Sequence, residues 1–371
     1  MPTQQPTRSP FMTPDQSRRR RENARQRRRR RRRTIGLGAL ALSLLAAAVL
    51  VVALSKSGGG GSGAASASTA IRARPRTVTV PVPSRSAIGL PLDKPPLALK
   101  GLGLPRQDAV QIAFHHPPRA GLLFNLSTGQ VLWQRNPDER LRVASLTKMM
   151  TALLTVKSDP PNARVLITKA AVNSAGSKVG VLPLGRHVRL ETMLYGLLLP
   201  SGNDAAVALA QHVAGSLGGF VTRMNEAAAQ LGMGCTRYSS PSGYVNGGNF
   251  SCASDLAVLA HTDLEQPRLA SIVKTLSAKL PFPIKGGKLY LYNNNPLLIY
   301  HYPGLTGLKT GFTALAGRCL VATAERGGVR LGVVVLHSPN PGTQARQLLD
   351  RAFQGVYHQA PVRERPIPPG A

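Results

Sequence analysis

Ser145-Leu146-Thr147-Lys148 sets a hydroxyl and an amine three residues apart. On a helix, positions three apart share a face, so the Lys148 amine can reach the Ser145 hydroxyl. Serine is a poor nucleophile until a base takes its proton. A lysine is that base only when neutral, which burial and nearby positive charge both promote. The flanks Val143, Ala144, Leu146, Met149 and Met150 are apolar, as that chemistry requires. An isolated pair of this kind is also what a solvated helix lysine looks like. A second copy, Ser271-Ile272-Val273-Lys274, reads as chance.

Two further stretches add polar side chains. Ser201-Gly202-Asn203 follows Pro200 in a turn between apolar helical runs, where small polar residues are common in any case. There a serine hydroxyl can relay a proton, and an asparagine amide can hold a peptide backbone. Lys309-Thr310-Gly311 lies in GLKTGFT, which reads as a strand. Lys309 and Gly311 would face one way and Thr310 the other. The glycine admits a close backbone approach, and the lysine head can bind a carboxylate. The plainer reading is an edge-strand lysine that discourages aggregation. Ser145, Ser201 and Lys309 come in that order, 56 and then 108 residues apart. The decoys Ser271-Lys274 and Ser338-Asn340 break the order. Serine-x-x-lysine, serine-x-asparagine and lysine-threonine-glycine in this order mark β-lactamases and penicillin-binding proteins.

The elements that must position these residues are legible in outline. Ala120 to Trp133 alternates around Ser127-Thr128-Gly129 and predicts a hairpin. Helices are expected over 144–157, 190–199, 204–213, 219–231, 254–261 and 343–356. Arg318 to Glu325 and Val329 to His337 read as strands joined at Arg326-Gly327-Gly328. Helices in the middle and strands at both ends predict a helical block inserted between pieces of an antiparallel sheet.

The chain has 371 residues and a formal charge of +31. Residues 1–33 hold 13 arginines against Asp15 and Glu22. Such a run can bind nucleic acid, but the next segment points elsewhere. Thr34 to Leu54 is 21 residues without a charge, long enough to span a bilayer. Arginines on its N-terminal side predict a cytoplasmic tail and an extracytoplasmic remainder. A cleaved signal peptide, with Ala65-Ser66-Ala67 as its site, is the alternative; the apolar stretch is longer than a signal peptide's usual core. Residues 55–108, Gly/Ser-rich and then Pro-rich, predict a linker with a reach of about 40 Å. A catalytic domain is expected over 109–358 and a disordered tail over 359–371. No nucleic-acid partner is expected. Cys235, Cys252 and Cys319 form no C-x-x-C pair, so neither a metal nor another cofactor is expected. Cys235 with Cys252 is the nearest pair for a disulfide; three buried free thiols are the preferred expectation.

From about Gly121 to Phe353 the chain resembles the D-alanyl-D-alanine carboxypeptidases, low-molecular-mass penicillin-binding proteins of the serine peptidase type. The likeness extends over STGQVLWQRNPDERLRVASLTKMMTALL, LETMLYGLLLPSGNDAAVALA, FVTRMNEAAAQLGM, CASDLAVLA, YNNNPLLIYHYPGLTGLKTGFTALAGRCLVATA and LLDRAF. It implies a penicillin-binding-protein/β-lactamase-like α/β (α+β) fold, with an antiparallel sheet, flanking helices and an all-helical subdomain. It implies as substrate the D-Ala-D-Ala end of a peptidoglycan stem peptide, with β-lactams as acylating inhibitors. By the same resemblance Ser145 attacks the penultimate carbonyl, Lys148 takes its proton and Ser201 passes it to the leaving D-alanine. Asn203 holds the peptide, while Lys309 and Thr310, followed by Gly311, hold the terminal carboxylate. The N–H groups of Ser145 and Phe312 form the oxyanion hole. Three departures stand out. Val143 replaces a usual proline. The chain ends soon after the catalytic unit, where many relatives carry a further β domain. Pro341-Gly342 stands where relatives often place a carboxylate-binding arginine, with Arg346 a turn later. A D,D-endopeptidase would use the same residues, and a non-catalytic wall-binding protein is a third reading. A class A β-lactamase would need a deacylating glutamate, and Glu226 and Glu265 lie in the wrong surroundings.

Overall fold

The computed structural model describes residues 95–103, 108–244, 248–362 and 367–368; the basic tail, the expected membrane span and most of the expected linker lie outside the described residues. The first hairpin is β1 (Ala120–Asn125) and β2 (Val131–Arg135). Asn125 Oδ1 accepts from the N–H groups of Ser127 at 2.8 Å and Thr128 at 3.0 Å, which forms the turn. The helical block then holds α1 (Lys148–Ser158), α2 (Leu190–Leu198), α3 (Asn203–Ala214), α4 (Leu217–Gln230), α5 (Ala253–Leu264) and α6 (Pro267–Val273). Short paired strands accompany them: β3 (Leu141–Arg142), ahead of α1, with β6 (Phe250–Ser251), and β4 (Arg164–Leu166) with β5 (His187–Arg189). After α6 come the hairpin β7 (Ser277–Pro281) and β8 (Lys288–Tyr292), then β9 (Leu305–Thr313), β10 (Gly317–Arg326), β11 (Val329–Ser338) and α7 (Pro341–Arg351).

The main sheet is antiparallel, in the order β2-β1-β11-β10-β9. Both of its faces are covered, which is why β1 reads as an unbroken buried run, AGLLFN. Leu122, Phe124, Val321 and Val334 pack against the helical block. Leu123, Leu320, Val333 and Val335 alternate to the other face and pack on Leu348, Leu349 and Phe353. The helical block thus sits between the first hairpin and the last three strands in sequence, as expected. Edge strand β9 carries Lys309-Thr310-Gly311 beside the first turn of α1.

Three expectations need correction. Residues 95–103 are not a free linker: the Lys100 N–H donates to the Gly129 carbonyl at 2.8 Å, and Leu97, Leu99 and Leu102 pack on the core. Their leucines outweigh the extending effect of the prolines around them. Nor is the C-terminal tail wholly free, because Gln359 Nε2 donates to the Arg326 carbonyl at 2.9 Å and Ile367 is buried. Cys235 and Cys252 form a disulfide, leaving Cys319 as a free, buried thiol. The chain between them doubles back and brings their Cα atoms to 5.7 Å, inside the range a disulfide spans.

Candidate active site

Ser145 sits in a tight 3-10 turn, Ala144–Thr147, that leads into α1. The sequence expectation of a single helix from residue 144 is met in two pieces, and the three-residue spacing survives. Lys148 Nζ lies 2.8 Å from Ser145 Oγ. Lys148 is fully buried, as are Met149 and Met150 beside it. Burial holds its pKa well below the ordinary lysine value, and the charge of Lys309 lowers it further, against an opposing pull from Asp204. The positive end of the α1 dipole also disfavours an ammonium at the helix start.

Two carbonyls orient this amine. Lys148 Nζ donates to Asn203 Oδ1 at 2.7 Å and to the Ser242 carbonyl at 2.9 Å. A neutral amine has two hydrogens and one lone pair. With both hydrogens directed to carbonyl oxygens, the lone pair faces the third neighbour, the Ser145 hydroxyl. The arrangement suits a base that removes the Ser145 proton.

Ser201-Gly202-Asn203 forms the opposite wall. Ser201 has a left-handed backbone, φ 64°, which a non-glycine residue adopts at some cost. Its Oγ is buried and, among the described residues, has no hydrogen-bond partner. Gly202 permits the turn: a Cβ there would meet Asp204 Oδ1 at 2.7 Å and the Gly196 carbonyl at 2.9 Å. Asn203 starts α3 and is buried; besides accepting from Lys148, it donates through Nδ2 to the Ala175 carbonyl at 2.6 Å. Both ends of its amide are thereby engaged within the protein.

The third wall is β9. A Cβ on Gly311 would stand 2.9 Å from the Val143 carbonyl and 3.3 Å from the Ser145 nitrogen, so only glycine lets the strand close on the Ser145 turn. Lys309 is buried, and its Nζ donates to the Thr310 carbonyl at 2.9 Å. Burial lowers its pKa to about 7. It is not among the residues that line the cleft, whereas Thr310, Gly311 and Phe312 are. The cleft has a volume of about 340 Å³ and is also lined by Ser145, Ser201, Asn294, Arg318 and Pro341. The decoys are elsewhere: Ser271 and Lys274 are exposed near the end of α6, and Ser338 Oγ pairs with Gln344.

Sequence reasoning missed the support behind Lys148. The Ser242 carbonyl belongs to a loop that the disulfide closes between residues 235 and 252. Asn249, buried within it, donates from Nδ2 to Thr147 Oγ1 at 3.1 Å and to the Ser240 carbonyl at 2.8 Å. Its Oδ1 accepts from Ser239 Oγ at 2.8 Å and Ser240 Oγ at 3.1 Å. One amide therefore ties the loop to the residue next to Lys148. Asn249→Ala is expected to slow acylation of Ser145 by penicillin about 5-fold, since a misdirected lone pair costs roughly 1 kcal/mol in the transition state. A lowered melting temperature with an unchanged acylation rate would make Asn249 structural only.

An antiparallel sheet, a helical block and a serine–lysine pair at their junction define a penicillin-binding-protein type of serine enzyme. Residues 109–340 match the family model described as D-alanyl-D-alanine carboxypeptidase, and the chain belongs to that family. A D-alanyl-D-alanine carboxypeptidase of Bacillus subtilis is 34% identical over 258 residues, 67% of this chain and 65% of its own length. A D-alanyl-D-alanine endopeptidase of Pseudomonas aeruginosa is 34% identical over 64% of this chain and 81% of its own. The crystal structure of a Streptomyces DD-transpeptidase superposes with a TM-score of 0.61 at 32% identity, over 66% of this chain and 99% of that one. The chain thus spans just under two thirds of the Bacillus relative.

Proposed function

We propose that this chain is a serine-type D-Ala-D-Ala carboxypeptidase that removes the terminal D-alanine from peptidoglycan stem pentapeptides. The observation that carries this reading is the buried Lys148 amine 2.8 Å from Ser145 Oγ, beside an edge strand that can receive a peptide. The substrate lies along β9 as an added strand. Ser145 Oγ attacks the carbonyl of the penultimate D-alanine as Lys148 Nζ takes its proton. The oxyanion is received by the N–H groups of Ser145 and Phe312, each worth about 3–4 kcal/mol in the transition state. Collapse breaks the amide bond. The free Ser201 hydroxyl relays the proton from Lys148 to the departing amine of D-alanine. Water then attacks the ester, again with Lys148 as base, and restores Ser145. Asn203 holds Lys148 in place through Oδ1 and is itself fixed by the Ala175 carbonyl. Thr310 receives the terminal carboxylate, and the buried Lys309 disfavours a charged Lys148. A β-lactam acylates the same hydroxyl, and its ester is released slowly.

In this reading residues 34–54 anchor the protein in the cell membrane, with residues 1–33 in the cytoplasm and the catalytic domain outside. No nucleic-acid partner is part of it. Cutting of cross-links is the second reading, supported by the name of the Pseudomonas relative. The purified full-length chain, given a stem pentapeptide and a cross-linked dimer in parallel, is expected to release free D-alanine from the first much faster than it splits the second. Faster cleavage of the dimer would establish the endopeptidase reading, and inertness toward both would sink both.

A further inference from the structure

We propose that Arg318 is the fixed cation that receives the free C-terminal carboxylate of the peptide, and so sets the preference for carboxylate-ended substrates. The inference rests on the peptidase reading of the cleft and adds a residue to it. Among the described residues lining the cleft, Arg318 is the only charged one. It is the second residue of β10 and lies directly across the ladder from Phe312, while Leu320, two residues on, lies across from Thr310. Thr310, Phe312, Arg318 and Leu320 all line the cleft, so Arg318 stands diagonal to the Thr310 hydroxyl on the same face. Diagonal cross-strand neighbours are about 7–8 Å apart, within reach of an arginine side chain. The guanidinium is already held there: its Cζ lies 6.0 Å from the centre of the Phe312 ring, and Nη1 donates to the Pro339 carbonyl at 3.4 Å.

The other cations near the cleft are less suited to this task. Lys309 is buried with its amine on the Thr310 carbonyl and does not line the cleft, and with a pKa of about 7 it is neutral in part of its population at neutral pH. Arg346 is not among the lining residues, and Pro341 fills the wall at the start of α7. A guanidinium stays charged at every working pH and presents paired donors that match a carboxylate. No carboxylate pairs with Arg318 among the described residues, so its donors other than the Nη1 hydrogen on Pro339 are available to a ligand.

The test compares full-length wild type, Arg318→Gln and Arg318→Lys for acylation by benzylpenicillin and by its methyl ester, with the KM for a D-Ala-D-Ala pentapeptide alongside. Arg318→Gln is expected to lose about 10- to 100-fold against the free acid, the range for a charged hydrogen bond. It should react with the ester as wild type does, and Arg318→Lys should recover part of the loss. The pentapeptide KM should rise more than kcat falls. Equal losses against acid and ester would mean that Arg318 shapes the cleft only, and no loss against the acid would show it to be idle; either overturns the proposal. A wild-type chain that takes up neither compound overturns the peptidase reading itself, and this proposal with it.

Discussion

Ser145→Ala is expected to reduce penicillin uptake and D-alanine release by at least about 10⁴-fold, because among the described residues lining the cleft Ser145 carries the hydroxyl that the Lys148 amine touches. Ser201 is the nearest competitor by chemistry. Its Oγ faces the cleft without a partner, whereas Lys148 directs its hydrogens to Asn203 and Ser242 and its third position to Ser145. The fold should be indifferent to the change. Ser145 is only half-buried, and a methyl group fits its place. Ser271→Ala is the matched control: it removes the serine of the other serine-x-x-lysine pair, exposed near the end of α6, and should leave uptake unchanged. Fluorescent penicillin followed on a gel, beside thermal melting, reads both quantities.

Lys148→Met is expected to slow acylation by about 10³- to 10⁴-fold, toward the upper end of what a general base supplies. Its effect on stability should have the opposite sign. A buried amine carries a desolvation cost that a methionine of similar shape does not, and Lys148 is fully buried. Its folded pKa is depressed, so the unfolded chain binds the proton more tightly. The cost is therefore greatest at low pH and fades as pH rises from the depressed value toward about 10.4, the unfolded value. The variant should gain melting temperature over wild type at pH 6 and lose that gain by about pH 10. In wild type, acylation should fall as pH drops through the depressed Lys148 pKa, because the base is then charged. A variant that loses stability and activity together, with the same pH profile as wild type, would show Lys148 to be a packing residue.

Ser145, Lys148, Ser201 and Thr310, which the structure gathers around one cleft, were legible because each sits in a short local pattern, and because the three patterns keep a fixed order. The antiparallel sheet was legible from alternation in Ala120 to Trp133 and from the paired apolar runs around Arg326-Gly327-Gly328. The orienting groups were not. The Ser242 carbonyl is backbone and has no residue signature, and Asn249 reaches Thr147 across 102 positions. The Cys235–Cys252 bond depended on a fold-back that spacing alone does not reveal. Leu97, Leu99 and Leu102 were hidden among prolines, and they dock because β2 leaves an edge for Lys100 to pair with beside Gly129 and Val131. The β7–β8 hairpin went unread although Ala278, Leu280, Leu289 and Leu291 alternate inward, because lysines and a proline break up the apolar signal. Arg318 carries no signal of its own in the sequence, and only the β9–β10 register sets it opposite Phe312.

The central claim is that a neutral Lys148 amine makes Ser145 the acyl acceptor. Peptide mapping by mass spectrometry after brief exposure of the full-length chain to benzylpenicillin tests it most directly. A single adduct on the peptide that holds Ser145, absent from Lys148→Met over the same interval, is the predicted result. An adduct on a peptide without Ser145, or equal uptake by Lys148→Met, would contradict it.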